Sequence, residues 1–265
     1  MSKIAFLPLP FAAFIFLSIS CSGIPKKTAL TSCQQNDPVR IPVMTAPDIR
    51  YWDSIIRAFS QKDGYALLRF SQAWLPEVQD DFCGGTVRIG YQGSRVFILA
   101  NLEDDMMTTK ATKDNENLWA LGDVFEVFIR DLAFKKYHEF HASPNGLRLQ
   151  ISFPSEAFYH KRKFTFNDHK IKEVLYAYRV RKIRKGWQVY LEIDSAKLFG
   201  EKHSFLPDRE WLMSFSRYDY TRGKNIDKKN IVFSSTSRHQ PPRNFHDQKY
   251  WRRILFLYDF PKNIP

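Results

Sequence analysis

From Thr86 onward the chain alternates apolar and polar residues with a period of two, in short runs separated by turn-forming residues. Successive side chains of a strand point to opposite faces, so this pattern builds sheets that bury one face against a core. TVRIGYQGSRVFILAN reads as a hairpin: Val87, Ile89 and Tyr91 alternate, Gln92-Gly93-Ser94 turn, and Arg95 to Ala100 return. Further alternating runs occupy 123–130, 136–143, 146–153, 174–183, 186–193, 211–220, 230–235 and 252–260. Ten short strands with no long helix between them predict an all-β fold, an antiparallel β-sandwich or jelly roll. Ile49, Trp52, Ile55, Ile56 and Phe59 recur at helical spacing and predict one short N-terminal helix, with Gly64 beyond its end.

The first twenty residues follow a different logic. Lys3 precedes an uncharged apolar run from Ile4 to Ile19 that ends in Ser20 directly before Cys21, the layout of a secretory signal. A permanent span needs about 20 apolar residues, and Pro8 and Pro10 remove backbone donors inside this one. Leu17-Ser18-Ile19-Ser20-Cys21 resembles the lipobox of bacterial lipoproteins, which implies lipidation at Cys21 and a membrane contact through that anchor. Plain secretion and an uncleaved anchor are the alternatives. Once Cys21 is lipidated, Cys33 and Cys83 remain as an even pair in an oxidising compartment, either bridged or as two thiols. The expected organisation is a signal peptide over 1–20, a proline-rich flexible tether over 21–48, a helical or irregular lead-in over 49–85, and the sandwich over 86–260.

The formal charge is +12, with basic clusters at Lys161-Arg162-Lys163 and at Arg179, Arg181, Lys182, Arg184 and Lys185. In an exported chain such clusters read as a solvated face near anionic lipid or acidic polysaccharide rather than as a nucleic-acid surface.

The most informative segment is DVFEVFIRDLAFKKYHEFHAS, two strands whose faces follow from parity. With Ile129 opposite His138, one face carries Phe125, Val127, Ile129, His138, Phe140 and Ala142 and packs on the second sheet. The other carries Glu126, Phe128, Tyr137, Glu139 and His141. Buried acids need partners, so this second face is either solvated or a wet groove.

Five features stand in order along the chain. They are Trp119 before the acidic-hydrophobic strand 123–129, Tyr137-His138-Glu139-Phe140 before Ser143-Pro144-Asn145-Gly146, and Gly186-Trp187 running to Ile193 and Leu198. Trp211, Phe215 and Arg217 on one strand and Asn244-Phe245-His246 before the closing strand complete the set. Together they resemble carbohydrate-binding module family 9, a β-sandwich, and the resemblance, from about Thr86 to Phe260, implies binding of an oligosaccharide or polysaccharide. A pyranose presents flat C–H faces and a rim of hydroxyls, which suit aromatic rings and planar hydrogen-bonding groups. Trp119, Glu126, Tyr137, Glu139, Arg217, Asn244 and His246 would supply them. Phe233-Ser234 stands where the family usually has Trp-Ser, and Gly122 is an extra residue between Trp119 and Glu126.

Two other chemistries are weighed against binding. Glu126 and Glu139 form a carboxylate pair of the kind glycoside hydrolysis requires, without the dedicated acid environment. Glu103-Asp104-Asp105 and Asp114-x-Glu116 could hold a structural calcium or stay solvated. No other cofactor is expected, and an envelope interaction protein with a degenerate sugar site is the alternative to a binding module.

Overall fold

Each of the alternating runs is a strand in the computed structural model, which describes residues 37–258 apart from 62, 161–164, 175, 201–202, 204, 206, 208 and 221–230. The signal, Cys21, Cys33 and Lys161-Arg162-Lys163 lie outside the described residues, so the expected Cys33–Cys83 pair does too. In chain order the elements are β1 (Val39–Ile41), α1 (Trp52–Ala58), β2 (Ala66–Arg69), β3 (Gly85–Gln92), β4 (Arg95–Leu102), β5 (Val124–Asp131), β6 (Tyr137–Ala142), β7 (Arg148–Phe153), α2 (Glu156–Tyr159), β8 (Tyr176–Ile183), β9 (Gly186–Asp194), α3 (Ser195–Phe199), β10 (Glu210–Asp219), β11 (Val232–Ser235) and β12 (Arg252–Phe256).

They form two sheets. The larger runs β1-β12-β10-β5-β6-β7 with β11 also on β10, and the smaller runs β2-β3-β4-β9-β8. β1 pairs with β12 in parallel, and the other pairings between these strands are antiparallel. The sequence-expected register holds, with Ile129 opposite His138. Phe125, Val127, Ile129, Phe140, Ala142 and Phe215 therefore meet Ile89, Ile98, Val189 and Leu191 between the sheets, each side chain contributing roughly 1.5–3 kcal/mol by leaving water.

Both sheets are also covered outside. Ile55 and Phe59, one helical turn apart on and just after α1, pack on Phe97, Leu99 and Tyr190 of the smaller sheet. Arg179 and Arg181 of the basic strand β8 hold that helix, Arg179 donating to the Ile49 carbonyl at 2.9 Å and Arg181 stacking 4.5 Å from Trp52. On the larger sheet, Trp74, Leu118, Phe245 and Trp251 cover Phe128, Tyr137 and Leu149. β6 is consequently buried at every position. Polar groups that face that cover have to find their hydrogen-bond partners there.

Two strands lie where the sequence suggested none. β1 falls inside the segment expected to be a tether, and β2 inside the lead-in. Val39-Arg40-Ile41 is too short to display a period, and Ala66-Leu67-Leu68-Arg69 does not alternate. β1 is defined by a partner near the other end of the described chain, and β2 by its pairing with the next strand, β3.

Candidate ligand-binding cleft

The outer face of β10-β5-β6 carries a cleft of ≈ 320 Å³, within the size range of small-ligand sites. Its floor follows from strand parity. Glu126 lies opposite His141 across β5-β6, Glu139 opposite Phe128, and Ser216 of β10 opposite Glu126, with Tyr218 two residues on along the same face. Walls come from three connections: Trp119 from a single helical turn over 118–120, Tyr159 and Phe166 from the segment after β7, and Arg243 with Asn244, Phe245 and His246 from the loop before β12.

The position of Trp119 depends on Gly122. Its φ is +144°, and a Cβ there would lie 2.2 Å from the Thr108 carbonyl oxygen. The bare backbone lets residues 108–110 close on 121–123, with Asp123 N–H donating to Thr108 O at 2.7 Å and Lys110 N–H to Leu121 O at 2.6 Å. The residue that looked like an insertion thus pins the turn presenting Trp119. Tyr220 Oη donates to the Trp119 carbonyl at 2.5 Å, and the indole packs at 4.8 Å on Phe166.

The floor is acidic and dry. Glu126 and Glu139 are 2% and 3% exposed. His141 Nε2 lies 2.6 Å from Glu139 Oε1 and 3.6 Å from Glu126 Oε1. The Oε2 atom of each glutamate accepts no hydrogen bond from the described residues. Burial pushes both carboxyls up to about 8 and His141 down to about 4. The nearest strong cation is Arg243, whose guanidinium lies 3.4 Å above the Phe233 ring. It forms no ion pair with either glutamate among the described residues.

Trp119, Glu126, Glu139, Asn244 and His246 of the sequence-expected set do line the cleft. Asn244 also braces its loop, accepting from His246 N–H at 3.0 Å and donating to Asp247 at 3.2 Å. His246 stacks on Tyr159 at 3.7 Å. Tyr137 stands behind it, fully buried, its hydroxyl 2.8 Å from His246 Nδ1; it positions a wall residue and is not itself on the wall.

Arg217 is a correction. It lies opposite Phe125, so it shares the inward face of β10 with Trp211, Met213 and Phe215. There its guanidinium meets Asp104 at 3.0 Å and Asp219 at 2.7 Å and donates to the Glu103 carbonyl at 2.5 Å. Arg243 supplies the guanidinium of the cleft instead. Tyr159, Phe166, Tyr218 and Arg243 were not anticipated. Only Tyr218 carried a sequence signal, since it is one of the even-numbered positions of β10 that face outward with Glu126.

The acidic stretches considered for calcium are engaged within the protein. Asp104 turns inward to Arg217. Asp114 accepts from the Arg148 N–H and pairs with its side chain, and Glu116 accepts from the Thr112 and Lys113 amides. Among the described residues, three groups of side chains bring ligand atoms within 4.8 Å of one another: Glu126, Glu139 and His141 in the cleft, Asp104, Asp123 and Asp219 around Arg217, and Glu156, His160 and Asp247 near the surface. Cys83, half buried, has its thiol raised to about 11 by burial.

No protein-family profile and no curated sequence matches the chain. Solved structures do match its fold. A Bacteroides uniformis protein proposed to bind carbohydrate superposes with a TM-score of 0.62 at 13% identity, covering 83% of this chain and 100% of that one. A family 9 carbohydrate-binding module from Caldicellulosiruptor kristjanssonii, in complex with cellotriose, superposes with a TM-score of 0.51 at 12% identity, covering 84% and 99%. The β-sandwich that the sequence resemblance implied is the fold this chain has.

Proposed function

We propose that the chain is a non-catalytic binder of a glycan or oligosaccharide, exported and held at the cell envelope by a lipid on Cys21. The observation that carries this reading is the cleft itself: Trp119, Tyr159, Phe166 and Tyr218 surround two buried carboxylates that keep an unused acceptor oxygen each. Ring faces and planar acceptors in one concavity are what a pyranose requires. The shared fold with a module that holds cellotriose supports it. Binding rather than hydrolysis fits the carboxyls, because burial raises both alike and sets neither apart as the acid from the other as the base or nucleophile. Hydrolysis needs two carboxyls flanking the scissile bond.

Calorimetric titration with mono- and oligosaccharides tests the reading. Trp119→Ala, with its melting temperature checked against the parent, is expected to weaken binding by roughly 10- to 100-fold, about 1.4–2.8 kcal/mol. Release of reducing ends from a polymer would replace binding with catalysis. One observation favours a second reading, an envelope interaction protein: Phe233 serves as the platform for Arg243 and leaves the cleft without a second indole. Silence across a broad sugar panel would select it. For the anchor, Cys21→Ala is expected to abolish palmitate labelling and release the protein from the membrane fraction. Unchanged labelling would refute lipidation at that residue.

A further inference from the structure

We propose that the sugar this cleft takes carries a free, protonated amine, an aminohexose unit rather than a neutral one. The inference rests on reading the cleft as a sugar site and adds the chemistry that its floor selects. Glu126 and Glu139 are almost wholly buried, and the Oε2 atom of each has no donor among the described residues. Of their other oxygens, Glu139 Oε1 is hydrogen-bonded to His141 Nε2 at 2.6 Å, while Glu126 Oε1 lies 3.6 Å from the same nitrogen, too far for a hydrogen bond. His246 Nε2 is 3.9 Å from Glu139 Oε2, beyond hydrogen-bond reach. Arg243 is occupied against Phe233. Ionised, this buried pair is costly without a cation, so the partner it favours over protons is one that brings donors and positive charge together.

An ammonium does both, with three N–H donors and no lone pair to turn against a carboxylate. Two N–H···O bonds of ordinary length leaving a tetrahedral nitrogen span about 4.6 Å between acceptors. One oxygen of Glu126 and one of Glu139 lie within 4.8 Å of each other, so the two carboxyl groups stand close enough to share one ammonium. A hydroxyl has one donor and would leave the second oxygen unpaired or face it with a lone pair. The walls agree, since Trp119, Phe166 and Tyr218 put aromatic rings along the cleft, and such rings attract an organic cation. A metal ion fits less well. Calcium wants six to eight oxygens and zinc four ligands. The floor offers three groups, with His141 Nε2 committed to Glu139. Burial pushes both carboxyls up to about 8, the response of groups that will take either a proton or a bound cation. The chain's overall +12 charge repels cationic sugars, so a preference for them has to arise locally.

The test is calorimetric titration of the full chain at neutral pH with β-1,4-linked glucosamine trimer, its N-acetylated counterpart and cellotriose, and separately with Ca²⁺ and Zn²⁺ alone. The glucosamine trimer is expected to bind at least 10-fold more tightly than either neutral trimer. Glu126→Gln and Glu139→Gln, near-isosteric and checked by melting temperature, are expected to bring that ratio within about 3-fold, while Trp119→Ala weakens all three sugars together. Neutral sugars binding as well as the amine would overturn the inference and leave sugar binding standing. Silence with every sugar would overturn both. Stoichiometric binding of either metal that is lost in Glu126→Gln would assign the carboxylates to an ion and overturn the amine.

Discussion

Replacing Arg217 by methionine is expected to destabilise the domain by roughly 3–5 kcal/mol, a fall in melting temperature of about 10 °C for a chain of this size. The side chain is fully buried and is the cation shared by Asp104 and Asp219. Asp123 lies in the same cluster, its carboxylate accepting from the Tyr220 and Thr108 amides. Burial already raises Asp104 against the pull of Arg217, and it raises Asp123 to about 8, with Asp104 adding to the effect. Without the guanidinium, three acids face one another in a dry interior, and the Glu103 carbonyl loses its donor. Adding Asp104→Asn to the methionine variant is expected to restore part of the loss, which a double-mutant cycle would measure. A loss below about 1 kcal/mol in chemical denaturation would show that the pairing is dispensable.

The ligand-free protein is expected to lose stability as pH rises from about 6.5 to 9. Glu126 and Glu139 titrate near 4.5 when unfolded and near 8 when folded, so the folded state holds more protons and stability falls with rising pH until the folded carboxyls ionise. Each contributes about 2 kcal/mol over that window. The groups packed against them are His141, His246, Arg243, Tyr159 and Tyr218. His141 and His246 are pushed down by burial; they add stability as pH rises to about 6.5 and nothing beyond it, which leaves the higher window to the acids. Asp123 acts in the same direction as the glutamates. A melting temperature that drops by roughly 10 °C across the window, with a shallower drop in Glu126→Gln and Glu139→Gln, is the expected result. A flat or rising profile would contradict it. The sequence pI is 9.5, so self-repulsion relaxes over the same interval and would by itself give the opposite trend.

The parity that made the fold legible also marked its largest misassignment. Alternation placed β5 against β6 in the right register and separated Glu126 and Glu139 from Phe125 and Val127. Applied to β10, the same rule puts Arg217 with Trp211 and Phe215, but a charged residue reads as outward until its buried partners are known. Those partners, Asp104 and Asp219, include a loop residue more than a hundred positions away. Tyr159 and Phe166 could not be read at all, because single helical turns such as α2 are too short to show a period and their aromatic residues are fixed by tertiary packing on His246 and Trp119. Arg243 stands directly before Asn244-Phe245-His246 and was passed over for the same reason. Strands announce their faces; the walls built by connections do not.

The short edge strand β1 has a mechanical consequence. Val39, Arg40 and Ile41 run parallel to Ile254, Leu255 and Phe256. Tension applied between the segment entering β1 and the segment leaving β12 therefore slides the two strands lengthwise. Their hydrogen bonds are strained together rather than opened one after another, and rupture must be concerted. The same short ladder that closes the sheet edge thus acts as a shear clamp against a pull from either end.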